Sequence, residues 1–88
     1  CALPIFLDTL GYITYLQNDF ETSAQVLGRA YTLSNSISIG VRYAKALYMQ
    51  GKITEFSTVL QQLKQKHPND PQLEQLSSLL LPQQMKKS

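Results

Sequence analysis

Arg42-Tyr43-Ala44-Lys45-Ala46-Leu47-Tyr48-Met49-Gln50-Gly51 decides how the chain is to be read. The stretch has the spacing of a helix ended by a glycine. Its small residues Ala44 and Ala46, set among large apolar neighbours, let a second helix approach closely on one side.

Outward from this stretch, helical signals recur with short breaks between them. Toward the N-terminus, Phe6, Leu7, Leu10, Ile13 and Leu16 recur at three- and four-residue steps along one helical stripe from Pro4 to Gln17. Pro4 suits a first helical turn, where its missing N–H has no intrahelical partner to lose. Asn18-Asp19 interrupts, because both side chains compete for backbone hydrogen bonds. A second helix is expected from Phe20 to Leu33, with Phe20, Ala24, Leu27, Ala30 and Tyr31 inward, and Ser34-Asn35-Ser36 closes it. The third runs from Ile37 to Gln50, with Ser36 or Ser38 as N-cap and Gly51 as its left-handed stop. A fourth, Ile53 to Lys66, turns Ile53, Phe56, Val59, Leu60 and Leu63 inward and places Lys64 and Lys66 at the negative end of its dipole. Asp70-Pro71 opens a fifth as N-cap and first helical residue, Leu73, Leu76, Leu79 and Leu80 give its stripe, and Pro82 stops it.

These helices repeat. Slid along itself until Leu7 lies over Gly40 and Gly40 over Leu73, the chain aligns Leu10 with Tyr43 and Leu76, Gly11 with Ala44 and Ser77, and Thr14 with Leu47 and Leu80. The same shift pairs Asn18 with Gly51, Phe20 with Ile53, Leu27 with Leu60, and Asn35 with Pro68. The column Gly11, Ala44, Ser77 is always small, as a position must be where two helices of a hairpin cross. A helical hairpin that cannot bury its face alone stacks on the next and shares its core. The expected architecture is therefore all-α, with about five helices in one domain over residues 1–88. Repeat one spans about 4–36, repeat two 37–69, a capping helix 70–81 and a polar tail 82–88.

The pattern resembles the tetratricopeptide repeat family. Leu7, Leu10-Gly11, the Asn18-Asp19 turn, Phe20, Ser23, Leu27 and Ala30 meet it in the first unit, and Tyr43-Ala44, Leu47, Gly51, Ile53, Leu60 and Pro68 in the second. Three features depart from it. The period is 33 where 34 is usual, Gly40 replaces a bulky residue, and Phe56 and Leu63 stand where small residues are preferred. The resemblance implies a short right-handed superhelix whose first helices line a concave groove. It also implies a partner that is a peptide or helix of another protein. Carried over position by position, that groove takes Asp8, Tyr12 and Tyr15 from the first unit, with Ile5 and Leu16 beside them. Val41, Lys45, Tyr48 and Met49 come from the second unit, and Glu74 and Ser78 from the third. Tyr43 belongs to the core. Arg42 and Lys45 are cationic, but the asparagines that complete the family's carboxylate clamp are replaced by Tyr12 and Lys45, so no such clamp is expected. A narrower likeness, to C-terminal units of large bacterial proteins of this family, implies a scaffold in the bacterial cytoplasm or periplasm.

Composition narrows the remaining classes. A net charge of +2 with 16% charged residues is too mild to draw nucleic acid by field strength, and one cysteine, Cys1, makes no internal disulfide. CALPIFL is too short to span a bilayer. The single histidine, His67, sits in a His-Pro-Asn turn that suits a C-cap. No metal set or glycine-rich phosphate cradle is present, so neither an enzyme nor a cofactor is expected. A chain of two and a half units is expected to be the C-terminal end of a longer protein or to self-associate through its N-terminal face. The alternative to groove binding is thus a purely structural cap or oligomerisation segment, whose fifth helix offers Gln72, Glu74, Gln75 and Ser78 as its polar side.

Overall fold

The computed structural model describes residues 3–79, with side chains from Phe6 onward. Expectations for Cys1, the Ile5 side chain, Leu80 and residues 81–88 lie outside them. The described chain is all-α, with no strand: α1 Leu3–Leu16, α2 Phe20–Ser34, α3 Ile37–Met49, α4 Ile53–Lys66 and α5 Pro71–Ser78. Consecutive helices pack against each other, and α1 also meets α3, which meets α5. The shortest extent, 18 Å, is about two helices thick.

The two hairpin turns have one geometry, displaced by one repeat. Gln17 N–H donates to Ile13 O (3.1 Å), Asn18 N–H to Tyr15 O (3.0 Å) and Asp19 N–H to Thr14 O (2.9 Å). In the second turn Gln50 N–H donates to Ala46 O (3.1 Å), Gly51 N–H to Tyr48 O (2.9 Å) and Lys52 N–H to Leu47 O (3.0 Å). The reach of Asp19 to Thr14 and of Lys52 to Leu47 satisfies carbonyls that the helix end leaves open, and it requires a left-handed residue before each donor. Asn18 at φ 66° and Gly51 at φ 83° provide it. Asparagine is one of the few side-chain-bearing residues at ease there, which explains why these two types are equivalent.

Caps fix the other ends. Asp19 accepts from Thr22 N–H and Asp70 from Gln72 N–H, with Pro71 opening α5. His67 is the C-cap of α4, its N–H donating to Leu63 O. Ser36 stands at the N-cap of α3 without a side-chain capping bond.

The core runs through both hairpins. It contains Leu27, Ala30, Ala44, Ala46, Leu47, Phe56, Leu60, Leu63, Leu73 and Leu76. At Gly11 an added Cβ would overlap the side chain of Leu27, so α1 and α2 cross there with no room for more than hydrogen. Ser23 Oγ donates to Gly11 O at 2.7 Å across the crossing. Ala44 is fully buried at the equivalent place in α3, and Ser77 Oγ is buried in α5 without a hydrogen-bond partner.

Two departures from the repeat pattern compensate each other. The first unit has Leu7 and Ala30 where the second has Gly40 and Leu63. A Cβ on Gly40 would lie 2.7 Å from Leu63 Cδ2 and 2.9 Å from Tyr31 Cε1. Bulk has moved from α3 to α4, and a volume-conserving exchange of this kind keeps a core close-packed.

Of the apolar stripe of α1, Leu7 packs half-buried against the core. Phe6, Leu10, Ile13 and Leu16 are exposed, and what α1 buries is Gly11 and Thr14. Thr14 Oγ1 lies 3.0 Å from the carbonyls of Leu10 and Gly11, so its hydroxyl is satisfied within its own helix.

Candidate functional site

Two hollows between α1 and α3 share walls. One, of about 130 Å³, is lined by Tyr12, Tyr15, Leu27, Arg42 and Lys45. The other, of about 180 Å³, is lined by Tyr15, Lys45, Tyr48, Met49 and Leu79. With Tyr15 and Lys45 common to both, they form one groove that runs from α1 across α3 to the end of α5. The hairpin turns build it, because returning the chain antiparallel twice brings α1 and α3 to the same side.

The walls differ in how firmly they are held. Tyr15 packs edge-on against Phe20 at 5.2 Å, and Tyr48 packs on Phe56 at 5.3 Å with its hydroxyl 3.4 Å from Leu79 O. Each therefore presents only part of its ring. Tyr12 is exposed and lies under Arg42, whose guanidinium carbon is 4.8 Å from the ring centroid. Arg42 also forms an ion pair with Asp8 at 2.8 Å, the one such pair among the described residues. That pair is partly solvated, so it contributes at most about 1 kcal/mol and chiefly fixes the guanidinium over Tyr12. Lys45 is exposed with no carboxylate partner among the described residues and leaves the groove one uncompensated positive charge.

Of the expected groove residues, Tyr12, Tyr15, Lys45, Tyr48 and Met49 meet. Asp8 stands beside them through Arg42. Val41 does not belong with them, since it is 6% exposed and part of the core. It has the register on α3 that Asp8 has on α1, turned toward the next hairpin: Asp8 meets Arg42 of α3, and α3 packs on α5. Leu16, Glu74 and Ser78 are exposed but line neither hollow. Leu27, Arg42 and Leu79 complete the groove without having been expected there. Periodicity assigns Leu27 wholly to the core, and only the fold shows that its side chain also floors a surface hollow.

A wider cleft of about 630 Å³ lies on the opposite helices, between α2 and α4. Its rim carries solvated threonine and glutamine (Thr32, Thr54, Thr58, Gln25, Gln62), so its lining is a more even mix of polar and apolar surface than that of the groove. Its tyrosines are structural. Tyr43 lies against the backbone of Gly28, where an added Cβ would sit 3.0 Å from the ring, and its centroid is 6.3 Å from that of Tyr31. Tyr43 is thus half-buried at the joint between hairpins rather than wholly in the core. Burial first, and the Glu55 carboxylate second, raise its hydroxyl above the ordinary 10.0. A raised folded value means that the unfolded chain ionises first. The stabilisation is intact below the unfolded value and is lost as pH rises toward the folded one. Tyr43→Phe should therefore flatten the loss of stability in urea unfolding as pH rises above the ordinary tyrosine value of 10.0, and leave stability unchanged near neutrality.

Among the described residues no group of His, Cys, Asp or Glu could hold a metal ion, and no helix is long and apolar enough to cross a membrane. Comparison with protein-family models, with curated proteins and with solved structures finds no match to this chain.

Proposed function

We propose that this chain is a protein-binding helical repeat of the tetratricopeptide kind, and that the groove between α1 and α3 holds an extended or helical segment of another protein. The observation that carries the reading is the continuity of the groove, in which Tyr12, Tyr15, Lys45, Tyr48 and Met49 surround an apolar floor. Tyrosine offers a large contact area at little entropic cost together with a hydroxyl, and methionine adapts to irregular partners. The turn geometry that recurs from one hairpin to the next supports the superhelical arrangement, in which the first helix of each hairpin lines the concave side. A scaffold or assembly role in a bacterial protein fits this reading. A role in assembly alone draws support from a different observation, the apolar side of α1, which no described element covers.

The test is selection of peptides from a displayed random library, followed by mapping of the best one onto the chain by amide chemical shifts. Shifts should cluster on Tyr12, Tyr15, Lys45 and Tyr48. Tyr12→Ala and Lys45→Glu should each weaken binding about tenfold or more with an unchanged melting temperature. Those two are the informative positions, because Tyr15 and Tyr48 also pack on Phe20 and Phe56. Peptides that map to the α2/α4 cleft, or bind both variants normally, would contradict the reading.

A further inference from the structure

We infer that the segment held by the groove between α1 and α3 carries an internal aspartate or glutamate beside two apolar side chains, and that Lys45 is the residue that reads the acid. The inference rests on the groove reading and adds to it the chemistry of the partner.

Charge comes first. Of the two cations on the groove walls, Arg42 is committed to Asp8 at 2.8 Å and held over the ring of Tyr12. Lys45 is exposed and has neither an ion pair nor a hydrogen bond among the described residues. No carboxylate lines either hollow, so the free ammonium stands on the wall that the two hollows share. A neutral segment laid across Lys45 would strip water from that ammonium and return nothing. A carboxylate replaces the lost water with a charge-assisted hydrogen bond.

Volume and position supply the rest. The hollows measure about 130 and 180 Å³ and are walled mainly by aromatic and aliphatic side chains. An apolar cavity of roughly 150 Å³ takes one benzene ring, so each hollow has room for one side chain the size of leucine or phenylalanine. On α3 the first is bounded by Arg42 and Lys45 and the second by Lys45, Tyr48 and Met49. Their centres therefore lie about one helical turn apart, close to the span of two residues in an extended segment or four in a helix. Because an apolar hollow lies to each side of Lys45, a segment that fills both runs past the ammonium in both directions. A C-terminal carboxylate at Lys45 would end the partner there and leave one hollow empty, so the acid is a side chain within the segment.

Peptides selected from a displayed random library should share an aspartate or glutamate close to two apolar residues, and should bind equally well when synthesised with an amidated C-terminus. Replacing that acid by its amide should weaken binding about fivefold on the unaltered chain and leave it unchanged on Lys45→Gln. Selection repeated on Lys45→Glu, a change at an exposed position, should enrich lysine or arginine in place of the acid. Peptides whose amide shifts fall on Tyr15 and Tyr48 but that show no acidic preference overturn the inference and leave the groove a protein-binding site. The same acidic preference on Lys45→Glu, or loss of binding on amidation, does so too. An absence of peptides that map to the groove overturns both this inference and the reading beneath it. Shifts at Tyr15 and Tyr48 that grow with the concentration of the chain alone give the groove to a second copy and overturn the acidic partner.

Discussion

Gly11→Val is expected to destabilise the chain by about 3 kcal/mol, the upper end for overpacking. An added Cβ would overlap Cγ and Cδ2 of Leu27, and Leu27 is fully buried. Replacing a glycine within a helix ordinarily gains up to about 1 kcal/mol in propensity, so the sign of the result separates a crossing point from an ordinary helical glycine. Relief should come from the other side of the contact. Gly11→Val combined with Leu27→Ala should cost less than the sum of the two single changes, because each removes the reason for the other's penalty. Urea unfolding midpoints for the four proteins supply the cycle. Gly51→Ala makes a control of another kind: open space surrounds that position, but its φ of +83° strains any side chain, so about 1 kcal/mol is expected there.

Phe56→Ala should cost more, about 4 kcal/mol, by leaving a cavity between α3 and α4. For a domain of this length that is a large part of the whole stability, so much of the chain should be unfolded at about 37 °C. Phe56 is fully buried and its ring supports Tyr48, a wall of the groove. Phe56→Leu keeps most of the volume and should cost only about 1 kcal/mol. Thermal unfolding checks both. Loss of peptide binding in the leucine variant, with the fold intact, would mark Tyr48 as positioned by that ring.

Much of the fold is legible in the sequence because turns and spacing are local. Asn18 and Gly51 interrupt the pattern at equivalent places, and both hold left-handed backbone with the same three hydrogen bonds around them. Asp70-Pro71 opens α5, and His67 closes α4, as their chemistry requires. Pairwise compensation is not legible. Gly40 and Leu63 each read as a departure, and only their proximity shows that they exchange volume. Periodicity also marks which face of α1 is apolar without saying whether it is covered, and Phe6, Leu10, Ile13 and Leu16 lie at the surface. Val41 fails as a groove residue for a related reason. One step around a helix separates the groove from the joint with the next hairpin, and only packing decides between them.

The second hairpin sits on the first through a contact between Tyr43 and the bare backbone of Gly28, which sets α1 beside α3 and opens the groove. A nuclear Overhauser spectrum of the chain tests this directly. One Gly28 α-proton should show cross-peaks to the Tyr43 ring and be shifted upfield by it, since a Cβ in its place would lie 3.0 Å from Tyr43 Cε1. Sharp α-proton signals from Gly28 at ordinary shifts, with no cross-peak to Tyr43 in a chain that is fully helical, would contradict the arrangement.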